Sequence, residues 1–87
     1  MLNVSDEAIL ITKRFFMAID ILVAQRKLRS LNSFAVKYNI NYWNLWTIKK
    51  EPEKRILKTE YLSYLVRDFS VSPYFLLIGV GDIIIDK

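Results

Sequence analysis

Eighty-seven residues can enclose one small core, and at 53% hydrophobic with only two glycines and two prolines they exclude a second domain and a disordered or loop-rich chain, so a single all-α domain spanning residues 1–87 is expected. Having neither Cys nor His, the chain lacks disulfides, thiol nucleophiles, zinc-finger ligand sets and any side chain that ordinarily titrates near neutrality, and neither an enzyme nor a cofactor is expected. The formal net charge of +4 is unevenly spread: residues 13–58 hold eleven Lys and Arg against Asp20, Glu51 and Glu53, while both flanks are net acidic, so one stretch is electropositive as a polyanion-binding surface requires.

At the N-terminus, Met1 is followed by Asp6 and Glu7 rather than by a basic and then apolar stretch, which predicts a cytoplasmic chain without a signal peptide. Ser5 is placed to cap a first helix from Asp6 to Gln25, whose apolar stripe is Ile11, Phe15, Ile19, Leu22 and Val23. The basic segment Arg26-Lys27-Leu28-Arg29 breaks that pattern. Ser30 offers an N-cap oxygen to a second helix running through Asn39, with Phe34 and Tyr38 on one face. Asn39 suits a left-handed turn, and Asn41 caps a third helix to about Lys50. Glu51-Pro52-Glu53-Lys54-Arg55 is a polar connector that Pro52 keeps out of the helix. A fourth helix is predicted from Lys58 to Phe69, with Tyr61, Leu62, Leu65, Val66 and Phe69 on its apolar face. Ser72-Pro73 opens a fifth, ended by Gly79 and Gly81, and Ile83-Ile84-Ile85 forms a strand or a short extended tail. Apolar runs such as Phe15 to Ile19 and Tyr74 to Ile78 fall far short of the roughly 20 residues needed to cross a bilayer, so no membrane partner is expected, and no small-molecule ligand is evident.

The second and third helices, over about residues 30–50, carry the spacing of a helix-turn-helix: Phe34-Ala35-x-x-Tyr38-Asn39-Ile40-x-x-x-x-Leu45-x-x-Ile48. Ala35 is small where the third helix presses on the second, Ile40 plugs the junction, and Leu45 and Ile48 face the core. At 100° per residue the opposite side of the third helix centres on Trp43 and Lys50, flanked by Trp46 and Thr47, with Tyr42 nearer the N-terminal edge. That side is free to enter a major groove.

Over roughly residues 11–83 the chain resembles the lambda-repressor-like, XRE-type (phage-repressor-type) helix-turn-helix family. A second signature lies downstream: Val71-Ser72-Pro73-Tyr74-Phe75-Leu76-Leu77-Ile78-Gly79-Val80-Gly81-Asp82 looks like the VSPxWLLTGxGD ending of members common in Bacteroidetes, with Phe75 in place of Trp and Ile78 in place of Thr. The resemblance implies a five-helix DNA-binding domain, the third helix as recognition helix, a transcriptional regulator of phage-repressor or antitoxin type, and a homodimer on a pseudo-palindromic double-stranded DNA site. Asn39 for Gly, and Trp43 and Trp46 on the readout face, depart from the family's pattern.

The expected DNA-contacting set is Asn41, Tyr42, Trp43, Trp46 and Thr47 on the third helix, with Arg29, Lys49, Lys50, Lys54 and Arg55 neutralising phosphates and Ser30 and Ser33 directing the start of the second helix at another phosphate. The alternative for the cations is a solvated, solubilising surface. Trp43 and Trp46 have three readings: contact with thymine methyls or backbone, packing over the connector, or burial in a protein interface that would make the chain an interaction module. Tyr61, Tyr64 and Tyr74 are read as core or edge packing. Glu51 and Glu53, in a connector without buried partners, do not read as an acid–base pair.

Overall fold

The computed structural model describes residues 4–85; the readings that rest on Met1 and on the charges of Asp86 and Lys87 lie outside the described residues. Five helices follow one another: α1 (Asp6–Ala24), α2 (Leu31–Lys37), α3 (Tyr42–Lys50), α4 (Thr59–Phe69) and α5 (Pro73–Ile78). Four begin on a side-chain cap, three of them at the residue the sequence names as cap. Ser5 accepts from the Ala8 amide, Ser30 from Ser33, Asn41 from Asn44 and Ser72 from Phe75, each satisfying an amide that helix geometry leaves without a partner. Lys58 precedes α4 with no side-chain cap.

The helix ends depend on left-handed residues. Arg26 (φ 61°) lets the Arg26 and Lys27 amides return to the carbonyls of Val23 and Leu22, and Asn39 (φ 55°) does the same for Asn39 and Ile40 onto Val36 and Ala35. Both are Schellman endings. The second explains why α2 stops at Lys37 rather than at Asn39: once Asn39 turns left-handed, the helical ladder cannot pass it. Ser70 (φ 57°) ends α4 and Gly79 (φ 74°) ends α5. The Arg14 guanidinium from α1 donates to the Leu76 carbonyl and fills the space a Cβ at Gly79 would need, so this cation serves the packing of α1 on α5.

The core is built around two phenylalanines. Phe15 and Phe34, both fully buried, meet edge to face with ring centroids 5.6 Å apart, and Phe16 abuts Phe15 at 4.9 Å. Around them lie Ile19 and Leu22 of α1, Leu45 and Ile48 of α3, Leu65 of α4, Val71 just before α5 and Leu76 within it. Leu28 is also buried, so the basic segment between α1 and α2 is anchored to the core rather than looping free. Of the three tyrosines read as packing, Tyr61 is buried and Tyr64 half-buried. Tyr74 departs from that reading, being 66% exposed on the outer side of a helix only six residues long, too short to enclose all its apolar groups.

Ile84 forms a single antiparallel bridge with Val71, in which the Ser72 amide donates to the Ile83 carbonyl and the Ile85 amide to the Ser70 carbonyl, each at 2.8 Å. The C-terminal segment is thus an extended tail pairing within its own chain, and no longer strand forms among the described residues. The radius of gyration is 12.4 Å, against about 12 Å for a compact chain of this length. No helix among the described residues is long and apolar enough to cross a membrane.

Candidate nucleic-acid interface

Nine residues make α3, and Leu45 (0% exposed) and Ile48 (8%) close its inner face into the core. What remains outward is aromatic and basic. Trp43 is 66% exposed and Trp46 38%; their rings meet edge to face at 5.9 Å, and the Lys50 ammonium lies 5.6 Å from the Trp46 ring centroid. The indoles therefore do not fold into the core over the connector. Tyr42 differs from its expected place: it is half-buried and packs against the core while its ring meets Trp43 at 5.4 Å, because the helix N-terminus brings it over the side of the bundle.

Several expected polar contacts are already committed. The Thr47 hydroxyl donates to the Trp43 carbonyl at 2.7 Å, one helical turn back, and the Asn41 side-chain oxygen Oδ1 accepts from the Asn44 backbone amide at 3.1 Å. Ser30 and Ser33 form a reciprocal capping box: each side-chain oxygen accepts from the other's backbone amide, and the Ser33 hydroxyl donates to the Ser30 carbonyl. Among the described residues the Asn41 amide NH2 has no partner. Asn44, exposed on α3 and absent from the expected set, is a further polar group here. It lies toward the edge of the face that helical geometry singles out, and only the position of the connector shows that it borders an open groove.

The cations do not form one cluster. Arg29 borders a recess with Arg26 and Lys27 on the turn between α1 and α2. Arg55 and Lys58 line a groove with Asn44 and Thr47. Lys49 turns toward α1, sharing a recess with Lys13, Asp20 and Pro52, whereas Lys50 stays with the indoles. Lys54 is exposed on the connector. Arg55 also pairs with Glu51 at 3.4 Å, an exposed ion pair of little energetic weight that a stronger anion could displace. Lys49 and Lys50 complete the last turn of α3, where they also complement the negative end of its dipole.

The C-terminal end of α2 is tied to α4 from outside. The Tyr38 ring stacks parallel on Tyr64, with centroids 4.1 Å apart, and its hydroxyl donates to Asp68. Arg67 donates twice to the same carboxylate at 2.9 Å and lies over the Tyr64 ring. The hydrogen bonds from Arg67 and then from Tyr38 hold the Asp68 carboxyl well below its ordinary value of 3.8, while burial, helped by the bond to Asp68, pushes the Tyr38 phenol up. This clamp lets the orientation of α2, and through the Asn39 turn that of α3, follow α4. No family model, no curated protein and no solved structure matches the chain.

Proposed function

We propose that this chain binds double-stranded DNA by inserting α3 into the major groove, and that it acts as a transcriptional regulator with a lambda-repressor-like arrangement of its five helices. The observation that carries the reading is α3 itself: a helix sealed to the core on one side, following α2 across a tight turn at Asn39, with Trp43, Trp46 and Lys50 left outward. A helix about 10–12 Å across fits a major groove about 12 Å wide. Cations on the turn before α2, at the end of α3 and on the connector supply partners for phosphates, while the outer face of α3 carries no acidic residue to repel them. The capping-box side chains of Ser30 and Ser33 hold the start of α2 in shape, and that N-terminus is where a further phosphate is proposed to lie.

The test is a salt titration of the protein on duplex DNA, followed by fluorescence anisotropy. With about five phosphates neutralised per protomer, log K falls against log salt with a slope near −0.9 per contact. Lys50→Glu weakens binding and flattens that slope by about one contact. Failure to bind any duplex at low salt would overturn the proposal. A second reading, a protein-interaction module or a homodimer contact, is favoured by the exposure of Tyr74, Leu77, Ile78 and Val80 around the end of α5. Sedimentation at increasing protein concentration tests it, with self-association expected if that surface pairs with its own copy.

A further inference from the structure

We infer that the outer face of α3 recognises the C5-methyl groups of thymine, through Trp43 and Trp46, and so selects A·T-rich major grooves. The inference rests on the DNA-binding reading above and specifies what that surface reads. Base edges in the major groove are distinguished by hydrogen-bond donors and acceptors and, for thymine alone among the four common bases, by a methyl group. The α3 sequence Tyr-Trp-Asn-Leu-Trp-Thr-Ile-Lys-Lys holds little for the first kind of readout. It has no Arg for a bidentate contact to guanine and no carboxylate to accept from the cytosine amino group, and the Lys50 ammonium, the other cation type that pairs with guanine, lies over the Trp46 ring. The Thr47 hydroxyl proton and the Asn41 side-chain oxygen are committed within the helix, and Lys49 is turned toward α1. Asn44 remains as an amide of the kind that pairs with adenine, the partner of thymine.

For the second kind of readout the surface is well provided. Two exposed indoles hold each other edge to face, so an apolar corner is already formed before any ligand arrives. Their separation of three residues is about 4.5 Å of helix rise, close to the 3.4 Å step between base pairs, which lets each ring meet a methyl group on successive pairs. The Lys50 ammonium beside Trp46 adds the charge complementarity that an apolar protein partner would not require. A methyl group moved from water against an indole gains about the free energy of one buried carbon, so each such contact strengthens binding about four-fold.

The experiment compares an alternating A·T duplex, the same duplex with uracil replacing every thymine, and an alternating G·C duplex, each titrated with the full chain and with Trp43→Ala and Trp46→Ala. The wild-type protein is expected to bind the thymine duplex on the order of ten-fold more tightly than the uracil duplex, with equal salt slopes because the phosphates are unchanged. Each tryptophan variant, confirmed as folded by circular dichroism, is expected to lose part of that preference and keep the slope. Equal, salt-dependent binding to thymine and uracil duplexes would overturn methyl readout while leaving DNA binding intact. A preference undiminished in both variants would overturn its assignment to the indoles. Binding to none of the three duplexes at low salt would overturn the DNA reading itself.

Discussion

Arg26, Asn39 and Ser70 each hold a positive φ, a conformation that costs an L residue with a Cβ about 1–2 kcal/mol. Only Asn39 announces itself, because its short amide tolerates that region and because it stands between two runs of helical spacing. At Arg26 the backbone is held by two amides returning to Val23 and Leu22 and by the burial of Leu28 two residues on, so the strain is offset by contacts no local pattern displays. Arg26→Gly should therefore stabilise the fold by about 0.5–1 kcal/mol, the relief of strain less the extra freedom of glycine in the unfolded chain, and raise the melting temperature by a few degrees. A lower melting temperature would show that the arginine side chain contributes more than its backbone costs.

Between elements, two contacts set how α2 carries α3. Ala35 is 1% exposed and its carbonyl receives the Ile40 amide at the turn, leaving no room for a larger group. Ala35→Leu should cost on the order of 1–3 kcal/mol by overpacking, measured as a lower urea midpoint, and wild-type stability in that variant would remove Ala35 from the α2–α3 contact. The second contact is the Tyr38–Asp68–Arg67 clamp. Because the folded-state carboxyl of Asp68 titrates below its unfolded value, the clamp's contribution is complete above about pH 4 and is lost as pH falls through the depressed value. Urea midpoints taken down from pH 5 should fall more steeply for the wild type than for Asp68→Asn, which has no carboxylate to protonate. Parallel curves would mean that Asp68 titrates alike in the folded and unfolded chains.

At the scale of the molecule, the tail closes the fold. Ile83 and Ile84 pack half-buried against the core, and the bridge to Val71 uses backbone groups that would otherwise be offered to another chain. Deleting residues 82–87 should lower stability by on the order of 2–4 kcal/mol, from two partly buried isoleucines and two backbone hydrogen bonds, without altering the sedimentation coefficient beyond the lost mass. Unchanged thermal stability together with a loss of self-association would instead place the tail in an interface between copies. The exposed apolar groups near Gly79 then remain the surface most suited to a partner.

The all-α composition, the caps at Ser5, Ser30 and Asn41, Pro73 opening α5, Gly79 closing it, and the inward pair Leu45 and Ile48 are legible in the amino-acid sequence because each follows from local geometry: a cap oxygen, a fixed φ, or a repeat of three and four residues. The exposure of Trp43, Trp46 and Lys50 follows from the same periodicity. The folded structure decided which polar groups were already engaged with near neighbours, as with the Thr47 hydroxyl and the return bond of Ser33, and which cations served other ends, as with Arg55 at Glu51 and, across the fold, Arg14 at α5. It also decided that Tyr42 leans on the core, that Tyr74 does not, and that the isoleucine tail pairs with Val71. These outcomes depend on contacts between residues far apart in the chain, or on a side chain's choice between two nearby partners, and helical spacing fixes the face a residue occupies without fixing what it touches there.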